Sequence, residues 1–385
     1  MSAASFDVVI AGGGIVGAAC AEACARAGMR VAFVERDTLG SGATAAGMGH
    51  IVVMDDSEAQ FALTRYSQML WRRRAAELPA AAEYEGTGTL WIAADDEELA
   101  EAERKQRFYG ERDVPSRMLT ATEVARLEPH LRPGLAGALL VPEDAVVYPP
   151  AVARHFALAA QKLGATLVLG RSVARMSAGE MLLDDGSKIQ APRLVNATGA
   201  WSPAITPGVP VKKRKGHLVI TDRYPGFVGH QLVELGYLKS AHSITTDSVA
   251  FNVQPRKTGQ VLIGSSRQYG NESTAVDQAI LTAMLNRTAD YMPGIAPLKA
   301  IRVWTGFRAA TPDKLPLIGP SVVDESVWLA TGHEGLGITT SLGTAELLAS
   351  MLTGPQPQIP VEPYLPARYA HTTDPKKEQP CIGEA

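Results

Sequence analysis

The chain opens with two short apolar runs on either side of an alanine-rich segment. Residues 7–11 and 31–34 are almost continuously apolar, which is typical of strands buried on both faces. Residues 15–27, between the two runs, have helical composition. The pattern therefore predicts a β-α-β unit of about 30 residues, the crossover from which parallel sheets are built.

Further along the chain, this pattern of buried strands and helices occurs twice more, and two segments of a different pattern interrupt it. Residues 146–215 and 301–354 again read as buried strands and helices, whereas residues 85–145 and 216–300 alternate as antiparallel strands do. We predict an α/β fold in which a discontinuous nucleotide-binding domain (1–84, 146–215 and 301–354) carries an inserted antiparallel-sheet substrate domain (85–145 and 216–300). The prolines of residues 355–385 predict a tail that follows the surface as extended chain and adds no core element.

Composition excludes several classes of function. With 37 basic and 40 acidic residues the net charge is −3, which provides no field for a nucleic acid partner. Cys20, Cys24 and Cys381 form no disulfide, zinc or iron–sulfur pattern, so we expect no metal and a cytoplasmic setting. No apolar run reaches the ~18 residues of a membrane span. Glycine is the outlier, at 36 of 385 residues, and its excess predicts backbone that closely approaches another group.

The turn between the first strand and the first helix carries a glycine fingerprint, Gly12-x-Gly14-x-x-Gly17, and Glu35 ends the second strand. Gly12 permits a tight turn, Gly14 lets a pyrophosphate approach the helix N-terminus, and Gly17 allows close packing of helix and strand. Glu35 can accept hydrogen bonds from ribose hydroxyls and repels a 2′-phosphate, which leaves FAD or NAD as the ligand. The small residues at 40–49 favour FAD, because they suit backbone passing an extended cofactor; a flexible loop is the alternative interpretation.

Several segments, from the fingerprint to about residue 352, resemble the flavoprotein amine oxidoreductases of the D-amino-acid oxidase, glycine oxidase and sarcosine oxidase type. The resemblance rests on the fingerprint and on residues 45–48, 195–202, 255–259, 304–308, 313–319, 331–333 and 337–338. It implies a Rossmann-like FAD-binding domain of the glutathione-reductase type. Sarcosine-type members attach the flavin to a cysteine near the position of Gly306, where this chain has none. The resemblance therefore implies noncovalent FAD.

The fingerprint and the resemblance together place the cofactor contacts at strand ends, in the glycine-rich segment and at the start of the last helix. The expected cofactor-binding residues are Gly12, Gly14, Ile15, Val16, Gly17, Glu35, Arg36, Ser41, Gly42, Ala43, Thr44, Ala46, Gly47, Met48, Gly49, Val173, Ala197, Thr198, Gly199, Trp201, Arg308, Gly332, Gly335, Leu336, Gly337 and Ile338.

Arg308 matches the family arginine that clamps the substrate carboxylate, and a planar guanidinium holds a carboxylate through two hydrogen bonds. The alternative is a surface arginine in a salt bridge. Glycine oxidase has a carboxylate-binding tyrosine where this chain has Asn252, and a second family arginine is matched by Gly335. Carboxylate binding is therefore expected to depend more strongly on Arg308, in a roomier pocket.

One glutamate and three histidines complete the candidate site. Glu334 and His333 lie in the loop expected at the flavin edge and are candidate catalytic residues with Arg308. Glu334 can accept from a substrate ammonium or hydroxyl, or it is a solvated loop acid. His50 and His217 are candidates to line the substrate pocket, the alternative being histidines already satisfied within the core.

Residues 45–50, 215–221 and 248–256 are most similar to the flavin subunits of D-hydroxyproline dehydrogenases, and to related opine and hydrogen cyanide synthase subunits. This resemblance implies oxidation of cis-4-hydroxy-D-proline or D-proline to the cyclic imine, by hydride transfer to flavin N5. The alternatives are an oxidase of glycine or another D-amino acid that uses O2, and a flavin subunit of a heteromeric complex. Electrons would then leave through partner subunits, a quinone or another acceptor.

Overall fold

The computed structural model describes residues 6–236 and 247–370. Eight α-helices are formed within these ranges: α1 (Ile15–Arg26), α2 (Glu58–Arg74), α3 (Asp96–Gly110), α4 (Ala121–Leu127), α5 (Pro149–Lys162), α6 (Ser202–Ile205), α7 (Gln278–Tyr291) and α8 (Gly337–Thr353). None of these helices is long and apolar enough to cross a membrane.

A six-stranded sheet forms the centre of the nucleotide-binding part. Its strands are β1 (Val8–Ala11), β2 (Val31–Glu35), β8 (Thr166–Leu169), β12 (Leu194–Asn196), β18 (Leu317–Pro320) and β19 (Val327–Thr331). They lie in the order β18-β19-β12-β1-β2-β8, with every neighbouring pair parallel except β18 and β19. The β1-α1-β2 unit expected from the apolar pattern is therefore confirmed.

Both faces of this sheet are covered, which explains why its strands are continuously apolar. Val8 and Ile10 pack on the side of α1, α5 and α8. Val9 and Ala11 face the other way, towards a three-stranded sheet of β9 (Val173–Ser177), β10 (Glu180–Leu183) and β11 (Lys188–Gln190). Successive residues of a strand point to opposite faces, so each strand contributes to two cores.

An eight-stranded sheet forms the second half of the molecule. Its strands are β4 (Thr89–Ala93), β5 (Arg117–Thr120), β6 (Gly137–Val141), β13 (Lys212–Arg223), β14 (Gln231–Glu234), β15 (Ser248–Pro255), β16 (Gln260–Tyr269) and β17 (Ala300–Ala310). The order is β17-β13-β16-β15-β14-β4-β6-β5, and all pairs are antiparallel except β14 with β4. A small two-stranded ladder, β3 (His50–Ile51) with β7 (Ala145–Val146), completes the strands.

The predicted fold class is confirmed: a mostly parallel sheet with helices, into which a largely antiparallel sheet is inserted. The strand β17 bonds to β13 in the eight-stranded sheet, although the predicted boundary at residue 301 assigns it to the nucleotide-binding domain. The exact domain boundaries stay predictions.

The expectation that the proline-rich tail adds no core element is wrong for its first half. Short helical turns at Glu362–Tyr364 and Pro366–Tyr369 follow α8. Tyr364 is 1% exposed, packs with the helical core and donates its hydroxyl to the carbonyl of Ala59 at 2.6 Å. The sequence feature that indicated this packing was Tyr364, an aromatic residue between two prolines. Residues 371–385 lie outside the described part of the chain.

Candidate functional site

A long cavity of about 320 Å³ runs between the two sheets, past the carboxyl ends of β1 and β2. Such crevices at strand ends are the usual binding places of open α/β sheets. Of the expected cofactor residues, all but Gly17, Gly332 and Leu336 line this cavity. Gly17 instead packs against the carbonyl of Gly12, Gly332 lies against Thr311, and Leu336 lines a neighbouring compartment.

At one part of the cavity the glycine fingerprint has the geometry that a pyrophosphate needs. Gly12 has φ +108°, and a Cβ there would lie 2.5 Å from the carbonyl oxygen of Ala197. Gly14 caps α1 without a side chain, so the positive end of the helix dipole is open to an anion. The Ile15 amide donates to Thr44 Oγ1 at 2.9 Å, which ties the small-residue segment to the same helix end.

Glu35 stands beside this turn. Its carboxylate is 7% exposed and accepts from the backbone amides of Gly13 at 2.5 Å and Asp37 at 2.6 Å. A carboxylate has about four acceptor positions, so ribose hydroxyls can still bind to it. Beyond Glu35, the Arg36 guanidinium lies 4.9 Å from the ring centre of Trp201, and Val173 completes this end. Sequence reasoning missed Arg171 and Ser172, which lie next to Val173 along the same cavity wall.

At the opposite end of the cavity from Glu35, glycines let neighbouring segments of the chain pack closely against one another. Gly49 has φ +103°, and its Cα faces the carbonyl of Val147, while Gly306 leaves just enough space for Ala46. The helix α8 begins here, at Gly337, with no acidic residue in its first turn. Its positive end therefore faces the cavity and favours an anion or an electron-rich ring edge.

A second compartment of about 110 Å³ adjoins this end and shares His50, Asn252, Arg308, Glu334 and Gly335 with the main cavity. Strand register assembles its cationic side chains. Arg214 on β13 is directly opposite Arg308 on β17, and it also pairs with Tyr269 on β16, two residues from Arg267. Directly opposed residues and their second neighbours share a sheet face, so three arginines from adjacent strands line one compartment.

Arg308 is held in place from two sides. Its Nη1 donates to the carbonyl of Ser266 at 3.0 Å. Gly216 lies across from Gly306 on the neighbouring strand, and a side chain at Gly216 would collide with the guanidinium of Arg308. Gly216 thus makes room for the arginine to lie against the sheet at the junction of the two cavities.

Glu334 is not a solvated loop acid. Its side chain is 9% exposed and forms an ion pair with Arg214, whose side chain is 5% exposed. The backbone at Glu334 has φ +54° and its amide donates to the carbonyl of Ala309 at 2.8 Å. This unusual conformation turns the carboxylate towards the junction of the two cavities, where it faces the arginines.

The three candidate histidines differ in what they can offer. His217 bonds Ser266 Oγ through Nδ1 at 2.9 Å and accepts the amide of Asp277 at Nε2 at 3.0 Å, so both ring nitrogens are engaged. His333 bonds Thr344 Oγ1 at 2.9 Å, and burial lowers its pKa to about 3. Burial lowers the pKa of His50 to about 4, and its Nε2 has no hydrogen-bond partner among the described residues. All three are therefore neutral at pH 7.

The second compartment also contains side chains that sequence reasoning missed: Arg214, Arg267, Lys314, Trp91 and Gln231. Arg214 and Arg267 are 4% and 8% exposed, although arginine in a strand usually indicates a solvated face. Alternation of polar and apolar residues does not mark them, because Arg214 and the adjacent Lys215 are both buried and β16 is buried at eight consecutive positions.

A model of the family described as "FAD dependent oxidoreductase" matches residues 7–351. The glycine oxidase of Geobacillus kaustophilus is 29% identical over 94% of this chain and 97% of its own. The crystal structure of glycine oxidase from that species superposes with a TM-score of 0.85 at 26% identity, covering 94% of this chain and 99% of that one.

Two further proteins are similar along almost their whole length. The hydrogen cyanide synthase subunit HcnC of Pseudomonas aeruginosa is 26% identical, over 95% of this chain and 96% of its own. The crystal structure of iminodiacetate oxidase from Chelativorans has a TM-score of 0.79 at 25% identity, covering 93% of this chain and 98% of that one.

The residues on the cavity wall fit FAD. The open helix end at Gly14 suits the pyrophosphate, Glu35 suits the ribose, and the start of α8 suits the pyrimidine edge of the flavin. Both described cysteines, Cys20 and Cys24, are buried in α1 and neither lines the cavity. Within the described residues, therefore, no cysteine is placed to attach the flavin.

Proposed function

Because the chain belongs to the FAD-dependent oxidoreductase family and has FAD as its cofactor, we propose that it oxidises the α C–N bond of a secondary amino acid of D configuration. The family membership and the glycine oxidase relative support the general reaction, which is oxidation of an amino-acid C–N bond. The first substrates to test are cis-4-hydroxy-D-proline and D-proline, which the sequence resemblance favours. We place the enzyme in the cytoplasm, since its described cysteines are free.

The observation that carries the proposal is the position of Arg308 at the junction of the two cavities. From there its guanidinium can hold a substrate carboxylate at the flavin end, with the rest of the substrate in the second compartment. When bound, FAD would supply the two-electron acceptor for the α-hydrogen and its bonding electrons. Orientation of this kind can supply much of the rate acceleration without a general base.

The other residues of the junction act on the amine. Asn252 is 7% exposed, and its Oδ1 has no hydrogen-bond partner among the described residues, so it can accept the amine N–H. The amine must be neutral to share its electron pair with the α-carbon as the imine forms, and its N–H proton then passes to water. Glu334 lies at the same junction, paired with Arg214, and the remaining lone pairs of its carboxylate can accept an N–H of the substrate.

Anaerobic bleaching of the flavin absorbance tests the proposal. The holoenzyme is mixed with D-proline, L-proline, cis-4-hydroxy-D-proline, glycine and sarcosine in turn, without O2. We expect reduction by the D-configured secondary amino acids at rates above those of glycine and L-proline. Faster bleaching by glycine than by any secondary amine would favour a glycine oxidase instead.

Two alternatives follow from the relatives. Glycine oxidase similarity favours transfer of the electrons to O2, whereas HcnC is by its name a subunit of a larger synthase. Peroxide formed in stoichiometric amounts under air would identify an oxidase. Turnover only with an artificial acceptor would indicate a quinone or a partner subunit as the acceptor, since the described residues contain no cluster of metal ligands.

A further inference from the structure

His217 lines the main cavity, yet both of its ring nitrogens are directed at the protein. Nε2 accepts the backbone amide of Asp277 at 3.0 Å, so the neutral ring carries its proton on Nδ1. Nδ1 therefore donates to Ser266 Oγ at 2.9 Å, and the backbone amide of His217 donates to the same oxygen, also at 2.9 Å. Any effect of these hydrogen bonds on a substrate must therefore pass through Ser266.

Ser266 lies where the regular pairing of β13 with β16 is interrupted. Between two paired stretches, residues 216–218 of β13 face residues 264–267 of β16, which is three positions against four. An extra residue of this kind, a β-bulge, bends its strand and redirects the groups beside it. At this bulge the carbonyl oxygen of Ser266 accepts from Arg308 Nη1 at 3.0 Å. The bulge thus connects His217 to the arginine of the substrate site.

The start of α7 fixes the imidazole on its other side. Asp277 is the N-cap of this helix, and its carboxylate accepts from the amides of Ala279 at 3.0 Å and Ile280 at 3.2 Å. It also accepts from Gln268 Nε2 at 3.0 Å, which ties the helix to β16. The amide that His217 accepts therefore belongs to a firmly held residue, and helix and sheet together define the position of the ring.

The carbonyl of Ser266 is the part of that residue that reaches the substrate site. Ser266 is fully buried, and it is not among the described residues that line either cavity. A Cβ on Gly216 would lie 2.9 Å from the Ser266 carbonyl oxygen, so β13 packs directly against it. Rotation of the Ser266 peptide would therefore move an acceptor that holds the Arg308 guanidinium.

We propose that His217 and Ser266 are positioning residues for Arg308. The imidazole fixes the side chain of Ser266, the Ser266 peptide presents its carbonyl to Nη1, and the guanidinium is thereby aligned for a carboxylate. The inference rests on the proposed function, in which Arg308 holds the carboxylate of the substrate. Alignment matters here because a guanidinium binds a carboxylate through two parallel hydrogen bonds, and both depend on its orientation.

Calorimetric titration of the holoenzyme with two ligands measures this alignment without turnover. Cyclopentanecarboxylate is the carbon analogue of proline, and cyclopentanecarboxamide has nearly the same shape without the charge. We expect the wild type to bind the carboxylate at least about tenfold more tightly than the carboxamide, and Arg308→Ala to reduce that preference to within about threefold. His217→Ala and Ser266→Ala should each weaken carboxylate binding about tenfold and change carboxamide binding less than about twofold.

A conservative variant and a control variant separate positioning from general damage to the fold. His217→Asn keeps an N–H donor on the atom that replaces Nδ1, so it should recover carboxylate affinity to within about threefold of the wild type. The matched control, Gln268→Leu, removes another buried side-chain hydrogen bond to Asp277, from a residue that lines neither cavity. It should keep the wild-type affinity for both ligands. Flavin content and urea unfolding, measured for every variant, report damage to the fold.

A double variant tests whether His217 acts through Arg308. If it does, His217→Ala has no further effect once Arg308 is alanine, and the double variant binds the carboxylate as weakly as Arg308→Ala alone. Losses that multiply would mean that the two residues act independently, and they overturn the inference. Wild-type carboxylate affinity in both His217→Ala and Ser266→Ala also overturns it.

The outcomes separate the inference from the proposed function. If no amine bleaches the flavin, the function fails, yet the titrations still decide whether His217 and Ser266 align Arg308 for a carboxylate. If amines bleach the flavin and Arg308→Ala alone weakens carboxylate binding, the function stands and the positioning role is refuted. If Arg308→Ala binds both ligands as the wild type does, Arg308 is not the carboxylate site and both proposals are refuted.

Discussion

Removing the guanidinium of Arg308 should weaken substrate binding far more than cofactor binding. In Arg308→Ala the substrate carboxylate loses the guanidinium, and if water replaces one of the two hydrogen bonds the net loss is that of one charge-assisted hydrogen bond, about 1.5–3 kcal/mol. At roughly 1.4 kcal/mol per factor of ten, this is a loss of about 10- to 150-fold in affinity. Loss of a full ion pair at about 4 Å and an effective dielectric constant near 20 would be about 4 kcal/mol, which sets an upper limit near 1,000-fold.

The other cationic side chains near Arg308 indicate where in this range the loss of substrate affinity falls. Arg214, Arg267 and Lys314 remain in the adjoining compartment and continue to attract a carboxylate, so the full ion-pair loss is not reached. We expect KM to rise by roughly 30- to 100-fold. Because the carboxylate no longer orients the α-carbon, kcat also falls, and Arg308→Lys recovers part of the affinity but little of the orientation.

Steady-state kinetics with the best amine of the bleaching panel, together with the ratio of flavin to protein absorbance, provides the assay. Arg302→Ala is the matched control, because Arg302 lies on the same strand, is exposed and lines neither cavity. The flavin content of Arg308→Ala should remain near that of the wild type, since the cofactor cavity is lined mostly by other residues. A KM within threefold of the wild-type value would refute the role assigned to Arg308.

Three further predictions concern the cofactor, a buried acid and the tail. Gly12→Ala should purify largely without flavin, because the new Cβ would lie 2.5 Å from the Ala197 carbonyl oxygen and the backbone φ at this position is +108°. The ratio of flavin to protein absorbance after desalting measures the flavin content. A variant with full flavin occupancy would contradict the prediction. Burial raises the pKa of Asp144 to about 7, so its ionisation costs stability as pH rises from about 4 through 7. In urea unfolding, Asp144→Asn should therefore have a higher free energy of unfolding than the wild type at pH 8 but not at pH 4. The same difference in free energy between variant and wild type at both pH values would contradict this prediction. Tyr364→Ala should lose about 3–5 kcal/mol and Tyr364→Phe about 1 kcal/mol in the same assay, and no loss in either would show that the tail does not pack on the core.

The cofactor half of the site was predictable because its determinants are local in sequence. The fingerprint from Gly12 to Gly17 lies within one strand-turn-helix unit, and Glu35 ends the strand that follows it. In such a unit the spacing of residues nearly determines their positions, because the crossover has one favoured hand and one arrangement. The start of α8 was predictable for the same reason, since glycines mark the short loop between the buried strand that ends at Thr331 and the helix that begins at Gly337.

The substrate half was predicted only where a family motif marked it. That motif pointed to Arg308 but not to Arg214 or Arg267, which lie on β13 and β16, the next two strands of the same sheet. Their convergence depends on the register of three strands that are separated by about 40 to 90 residues in the chain, and register is a non-local property. A shift by one residue in β16 would turn Arg267 to the opposite face, and the sequence alone does not exclude that shift.

The glycines connect the two halves. Their excess in the composition suggested close approach to a cofactor, and Gly12 and Gly49 serve that purpose. Gly216 and Gly306, however, face each other across β13 and β17, two pairs further along than Arg214 and Arg308. A side chain on Gly216 would displace the Arg308 guanidinium, and one on Gly306 would meet Ala46 of the cofactor segment. This glycine pair therefore brings Arg308 and the backbone of the cofactor-binding segment into the same small space, which is the arrangement that the proposed transfer from an α-carbon to the flavin requires.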